Sequence, residues 1–250
     1  MLTGLAQDTN RLNIYRQICW IYLNTQTELD TARHYADSLH LLAKKLNNEY
    51  WIQRSGFFYG VLARFEGNYP DALRYLNENL RYFQNKGDSN RVSVALFQLA
   101  NVFDKMGNFA AALSCYYRHI AIEKQLGFYE SVPNARTGIG NVFFEARKYS
   151  HAVETYKEAA GIYDSLGDSS GKYTVFTNLG NVYIKIEKFD IARQCYNNSL
   201  AYAIKNKLPD RIALNVANLA FLFDGLKKYD SALMYRLWGL DISKKLPSKE

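Results

Sequence analysis

Residues 178–183 read Asn178-Leu179-Gly180-Asn181-Val182-Tyr183, and the rest of the chain is spaced around this stretch. Its glycine belongs to a series of small residues at forty-residue steps: Gly60, Ala100, Gly140, Gly180 and Ala220. Twelve positions further on the chain always has alanine, at Ala32, Ala72, Ala112, Ala152, Ala192 and Ala232. Three residues before each alanine stands a large apolar residue: Leu29, Tyr69, Phe109, Tyr149, Phe189 and Tyr229. Phe103, Phe143, Tyr183 and Phe223 share one further register. Six copies in register without an insertion define an internal repeat, in which each unit buries its apolar face on its neighbours.

The spacing predicts two antiparallel helices per repeat, A and B. The small residue of A and the alanine of B are expected where the helices cross, since a larger side chain would spread axes that want about 8–10 Å. Asp30, Ser150, Asp190 and Asp230 are predicted as N-caps of helix B. Pro70 and Pro133 fit first turns, and Gly87, Gly127 and Gly167 fit left-handed helix ends. After a loose lead-in over 1–10, the repeats are expected at about 11–46, 49–87, 90–127, 131–167, 170–207 and 210–246 of one domain spanning 1–250. Trp20 stands where the other repeats have Gly or Ala, in keeping with an atypical terminal repeat.

The form Leu-Gly-x-x-Tyr at 179–183, followed by Ala192 and Tyr196, resembles the tetratricopeptide repeat. The resemblance implies an all-α fold, a right-handed α-solenoid of six helix–turn–helix repeats. Helix B is expected to run about 16 residues, and Ile204 stands where the family's late proline would fall, which places the chain in the long-repeat branch. That branch is similar to the Leu-Gly-Asn-type polarity scaffolds, the peptide-receiving domains of bacterial quorum-sensing regulators and the repeat domains ahead of bacterial sensor kinases.

Composition agrees with a packed fold. Hydrophobic residues make up 48% of the chain, and its 20 tyrosines and 14 phenylalanines follow the forty-residue register, which assigns most of them to the core. The formal charge of +7 mildly favours an acidic partner. There is no basic stripe with a nucleic-acid motif, so direct nucleic-acid binding is not expected. Cys19, Cys115 and Cys195 read as packed free thiols. No run of about 18 apolar residues is present, so no membrane insertion is expected. Met1-Leu2-Thr3-Gly4-Leu5 does not begin a signal peptide. The expected compartment is cytoplasmic if the chain is complete and periplasmic if it is excised from a sensor kinase. Leu246-Pro247 reads as the end of the last helix B. Its uncovered face leads to the expectation of a longer parent protein and of self-association through solenoid ends.

No residue pattern points to catalysis, a metal or a cofactor. His34, His40, His119 and His151 form no metal-ligand pair. Gly138-Ile139-Gly140 lacks the third glycine and the strand of a dinucleotide loop. One polar series does stand out. Asn101, Asn141 and Asn181 each follow the small residue of helix A, on the face that lines the concave groove in the family. An amide offers both donors and an acceptor, so it can hold a peptide C=O and N–H together. With repeats about 10 Å apart and an extended chain rising about 3.3 Å per residue, one asparagine would meet every third peptide residue. The Leu-Gly-Asn-type scaffolds use such a ladder; the alternative is that these amides only brace neighbouring helices. Asn178 and Asn218 lie one turn earlier, with Asn134 further back. Phe57, Phe97 and Phe144 are expected on the same face, with Arg54, Arg64, Lys105 and Lys185 supplying charge against Asp104 and Asp224. The resulting expectation is a non-enzymatic domain binding an extended, possibly acidic, peptide or protein segment. It would serve as a sensor or docking module of a bacterial signalling regulator. The alternatives are a self-association scaffold and the repeat body of a DNA-binding regulator.

Overall fold

A computed structural model describes residues 2–25 and 28–245, so the expected helix end at Leu246-Pro247 lies outside the described residues. Among the described residues the chain forms twelve α-helices and no strand. The A helices are α1 (Leu2–Thr25), α3 (Glu49–Phe65), α5 (Ser89–Lys105), α7 (Val132–Glu145), α9 (Ser169–Lys185) and α11 (Pro209–Gly225). The B helices are α2 (Leu29–Lys45), α4 (Tyr69–Asn85), α6 (Phe109–Leu126), α8 (Tyr149–Ser165), α10 (Phe189–Lys205) and α12 (Tyr229–Lys245). The six-pair, all-α architecture is the one the repeat predicts. The lead-in is not loose, because α1 begins at Leu2.

The helices gather into two compact units, one ending at Phe128 and the other beginning at Tyr129, where the sequence pattern reads as one domain. In the first unit each pair packs together, α2 packs on α3, α4 packs on α5, and α1, α3 and α5 also touch along their A faces. The second unit repeats this with α8 on α9, α10 on α11, and α7 against α9.

The turns explain the constant spacing. A residue in the left-handed region ends a helix every twenty positions, at Asn47, Gly67, Gly87, Gly107, Gly127, Arg147, Gly167, Glu187, Lys207 and Lys227. Its N–H and the one after it bond back to carbonyls of the last helical turn; Gly67 N–H, for example, donates to Arg64 O at 3.2 Å and Asn68 N–H to Ala63 O at 2.8 Å. The next residue then caps the following helix. Asn48, Asn68, Asp88, Asn108 and Asp168 each accept from the N–H three residues on. This corrects the predicted caps. Ser150 and Asp190 lie inside the first turns of α8 and α10, whose cap positions are Lys148 and Lys188, with no side-chain cap bond. Asp30 and Asp230 likewise fall in the first turns of α2 and α12. Carboxylates there still suit the positive end of the helix dipole.

The repeat alanines Ala32, Ala72, Ala112, Ala152, Ala192 and Ala232 are all buried. The side chains that press on the helix-A glycines are nevertheless found four residues beyond those alanines. A Cβ on Gly60 would lie 2.7 Å from Leu76 Cγ, and one on Gly140 or Gly180 would lie 2.5 Å from a ring carbon of Tyr156 or Tyr196. The glycine is therefore needed to seat a large side chain flat on helix A, more than to let two small residues meet. In the second unit, Tyr156, Tyr163, Tyr183, Tyr196 and Phe223 form the bulk of the core around Ala152, Ala192 and Ala232.

Candidate functional site

The helix-A asparagines are held by the tyrosines of this packing. The Tyr116 hydroxyl donates to Asn101 Oδ1 at 2.6 Å, Tyr156 to Asn141 at 2.5 Å and Tyr196 to Asn181 at 2.7 Å. Each tyrosine ring is buried and each asparagine is half-buried. The amide oxygen is thus engaged inside its own helix pair, and a bidentate grip on a peptide by a free amide is corrected to a single donor, Nδ2. Asn141 Oδ1 also accepts from Asn178 Nδ2 at 3.3 Å. Further back, the Tyr163 hydroxyl donates to Asn134 Oδ1 at 2.6 Å. Loss of any of these asparagines should therefore cost stability, because it would remove the partner of a tyrosine hydroxyl. The signal was present in the chain. Tyrosine follows asparagine by fifteen residues in these three repeats, whereas Val61 and Phe221, at the asparagine register, are followed by Leu76 and Arg236.

The remaining expected site residues separate into several environments. Phe57 is 2% exposed and meets Phe58 edge-on at 5.6 Å, so it belongs to the core and not to an open pocket. Arg54 is buried, not displayed. Lys105 and Lys185 are exposed in the last turns of α5 and α9. Phe144 is half-buried beside Tyr149 in the second unit. Asn218 is half-buried, and its Nδ2 has no partner. Of the opposing acids, Asp224 pairs with Arg236.

Three expected residues do come together. Arg64, Phe97 and Asn101 line a cavity of about 150 Å³ on the A face of the first unit, with Trp20, Phe65 and Gln98. The lining comes from α1, α3 and α5 only. Phe97 is fixed there by edge contact with Tyr116 at 5.8 Å and by His119 at 5.2 Å. Arg64 lies 4.0 Å above the Phe65 ring, and burial holds its guanidinium below the ordinary arginine range. Two buried polar atoms in this lining have no hydrogen-bond partner: Arg64 Nε, a donor, and Gln98 Oε1, an acceptor. Trp20 was not legible as a site residue, since it is the lone large residue at its register; Gln98 was missed although it shares the register of Asn178 and Asn218.

No group of three or more His, Cys, Asp or Glu side chains that could hold a metal occurs among the described residues. Burial raises the thiols of Cys19, to about 12, and Cys195, to about 11, which disfavours the reactive thiolate. No described helix is long and apolar enough to cross a membrane.

Stacked helix pairs with a small-residue seam define the class as a helical-repeat fold. Family models described as tetratricopeptide repeat match residues 56–125 and 173–203, and the fold is that of tetratricopeptide-like helix–turn–helix repeats. No curated protein matches it in sequence. Among solved structures it is similar to BtubC (BKLC) from P. vanneervenii, with 19% identity, 89% of this chain and 94% of that chain covered, and a TM-score of 0.70. It is similar to PH0952 from Pyrococcus horikoshii, a signal transduction ATPase with a tetratricopeptide-repeat sensor, at 15% identity and a TM-score of 0.71; 94% of this chain is covered but only 37% of that one. It is also similar to NprR in complex with its cognate peptide NprX, at 14% identity, with 96% and 68% of the chains covered and a TM-score of 0.69. At these identities the likeness is one of fold.

Proposed function

We propose that this chain is a non-enzymatic repeat domain that binds an extended peptide or protein segment on its helix-A face, as the sensor or docking module of a signalling regulator. The observation that carries this reading is the cavity between α1, α3 and α5. Its apolar walls, Trp20, Phe65 and Phe97, hold an unpartnered donor on Arg64 and an unpartnered acceptor on Gln98. A peptide group presents the complementary C=O and N–H, and satisfying both would recover the desolvation that the empty cavity leaves unmatched. Asn101 Nδ2 adds a third contact point; within the second unit, Asn141, Asn181 and Asn218 present Nδ2 donors of the same kind, while Asn178 Nδ2 is bonded to Asn141. Support also comes from the solved relatives, one of which carries a repeat sensor and another a bound cognate peptide.

The test uses the full chain and a random peptide library. Enriched peptides should bind wild type and bind Gln98→Ala and Phe97→Ala at least about ten-fold more weakly, a difference of about 1.4 kcal/mol. Gln98→Ala is the cleaner variant, because its oxygen holds no bond in the structure and its loss should leave folding intact. No enrichment, or equal binding by both variants, would overturn the reading.

A second reading, self-association, is favoured by one feature of the second unit. Leu233, Met234, Leu237, Trp238 and Leu240 of α12, with Phe221 of α11, are exposed large apolar side chains. Light scattering across concentration separates the two: a mass that doubles without peptide supports association between copies.

A further inference from the structure

The outward face of α12 departs from the pattern of the other B helices. Met234 stands at the register of Arg74, Ser114, Glu154 and Gln194, and Trp238 at that of Glu78, Arg118, Glu158 and Asn198. Leu237 stands at that of Asn77, Tyr117, Lys157 and Asn197. Met234, Leu237 and the neighbouring Leu233 and Leu240 are each more than half exposed. Large apolar side chains gathered on one helix face mark an interaction surface.

A further repeat would not cover this face. In the second unit α8 and α10 each carry a following A helix, α9 and α11. Their residues at the three registers nevertheless remain exposed: Glu154, Lys157 and Glu158 on α8, and Gln194, Asn197 and Asn198 on α10. A further helix pair, or the end of another solenoid, would seat elsewhere. Its place is a cavity of about 370 Å³ between α11 and α12, with Ala213, Ala217, Phe221 and Gly239 in its lining.

The spacing on the outward face indicates what fits it. Asp230, Leu233, Leu237, Leu240 and Lys244 alternate steps of three and four residues, the period of a seam between paired helices. The seam is apolar in the middle, acidic at one end and basic at the other, and both charged side chains are exposed. Among the described residues neither joins an ion pair. We propose that this face pairs with α12 of a second copy, antiparallel, about a two-fold axis at Leu237. That pairing sets Met234 against Leu240 of the second copy and Asp230 against Lys244 of the second copy, and the symmetry makes each contact twice. A parallel pair would set Asp230 on Asp230 and Lys244 on Lys244, which repel. A second acid on the same face, Asp241, is exposed and disfavours an anionic membrane surface as the occupant. The proposal rests on the self-association reading and uses no residue of the Arg64–Gln98 cavity.

Sedimentation equilibrium of the full chain should show a dimer. Leu237→Lys, which brings two like charges to the axis, should weaken it at least about ten-fold and keep the wild-type helical circular dichroism. Asp230→Lys should also weaken the dimer, and Asp230→Lys combined with Lys244→Asp should restore it. Leu237→Cys should cross-link to itself on oxidation. Asp230→Cys should not, since its two copies would lie about 20 Å apart along the pair. The native thiols Cys19, Cys115 and Cys195 are buried and do not compete. Ala217→Arg, which obstructs the α11–α12 cavity, should leave the dimer unchanged. A dimer that Leu237→Lys leaves intact would overturn the proposal; if Ala217→Arg breaks that dimer, the copies stack by their ends and self-association itself stands. A dimer in which Leu237→Cys does not cross-link, or which the charge-swapped double variant does not restore, would overturn the antiparallel arrangement. A wild-type monomer at every concentration would overturn self-association and the proposal together. Binding of that monomer to anionic phospholipid vesicles, lost in Leu237→Lys, would assign the face to a membrane instead.

Discussion

In the first unit the left-handed turn residues are Asn47, Gly67, Gly87, Gly107 and Gly127; in the second they are Arg147, Gly167, Glu187, Lys207 and Lys227. The turn geometry is the same, although a Cβ there costs about 1–2 kcal/mol. Packing of the helix pairs dictates the turn, and the second unit accepts the strain. The buried polar residues differ as well. The first unit buries Arg54, His119 and Glu123, while the second buries the neutral Thr155, Thr177, Ser199 and Asn215. Three of these neutral groups bond one another: Thr177 Oγ1 donates to Ser199 Oγ at 2.8 Å, and Asn215 Nδ2 donates to the same oxygen at 3.0 Å. The Thr177–Ser199–Asn215 set of the second unit is thus internally matched, although Arg136 Nε and Asn218 Nδ2 there have no partner. The first unit holds buried ionisable groups that a ligand or a proton could address.

The comparison would be broken most severely through the side chain seated on the helix-A glycine. Tyr156→Ala should cost about 3–5 kcal/mol and Leu76→Ala about 2–5 kcal/mol in urea unfolding. A silent Leu76→Ala would show that this register does not carry equal weight in both units. Next come the asparagine–tyrosine pairs, which occur in both. Asn101→Ala, Asn141→Ala and Asn181→Ala should each cost about 1–3 kcal/mol by leaving a buried hydroxyl unpaired. Adding Tyr156→Phe to Asn141→Ala should recover part of that loss. Full additivity of the two changes would mean the pair is not coupled.

The turns give a smaller effect of opposite sign in the two units. Gly107→Ala should lose about 1 kcal/mol and Glu187→Gly should gain about as much, read as paired shifts in unfolding midpoint. The smallest effect is that of pH. Burial holds His119 below the ordinary histidine range; its bond to Ser93 and the Glu123 charge oppose this only in part. The unfolded chain therefore binds more protons near pH 6, and stability falls as pH drops through about 6.5. His40, lowered by burial and by Lys44, adds a lesser share in the same direction. From pH 7 to 6 the loss should stay under about 1 kcal/mol per histidine. Hydrogen exchange should locate it in α5 and α6; an equal loss in α9 and α10 would contradict the assignment.

Much of the fold was legible because its causes are local or periodic. Small residues at forty-residue steps, alanines twelve further on, and glycines or prolines at helix ends each state a geometric need within one repeat. The helix caps were misplaced by two positions because Asp190 and Ser150 are good cap residues, yet the turn has already spent its left-handed residue at Glu187 or Arg147 and starts the helix sooner. The candidate site was legible only as a face. Arg64, Phe97 and Asn101 could be assigned to it by helical spacing, and Gln98 by its register with Asn178 and Asn218, but Trp20 could not, since nothing in a single repeat tells which side chains from three helices close one cavity.

The sequence by itself determined the number of helix pairs, their length and the turns between them, because these follow from spacing and backbone preference along the chain. Only the tertiary structure decided how each polar group of the A face is used. Asn101 shares its amide oxygen with Tyr116, and Arg54 lies buried without a counter-charge, although the same register is exposed at Thr174 and Leu214. Partnering and burial depend on the volume and charge of side chains from neighbouring helices, and that information is spread over residues forty positions apart.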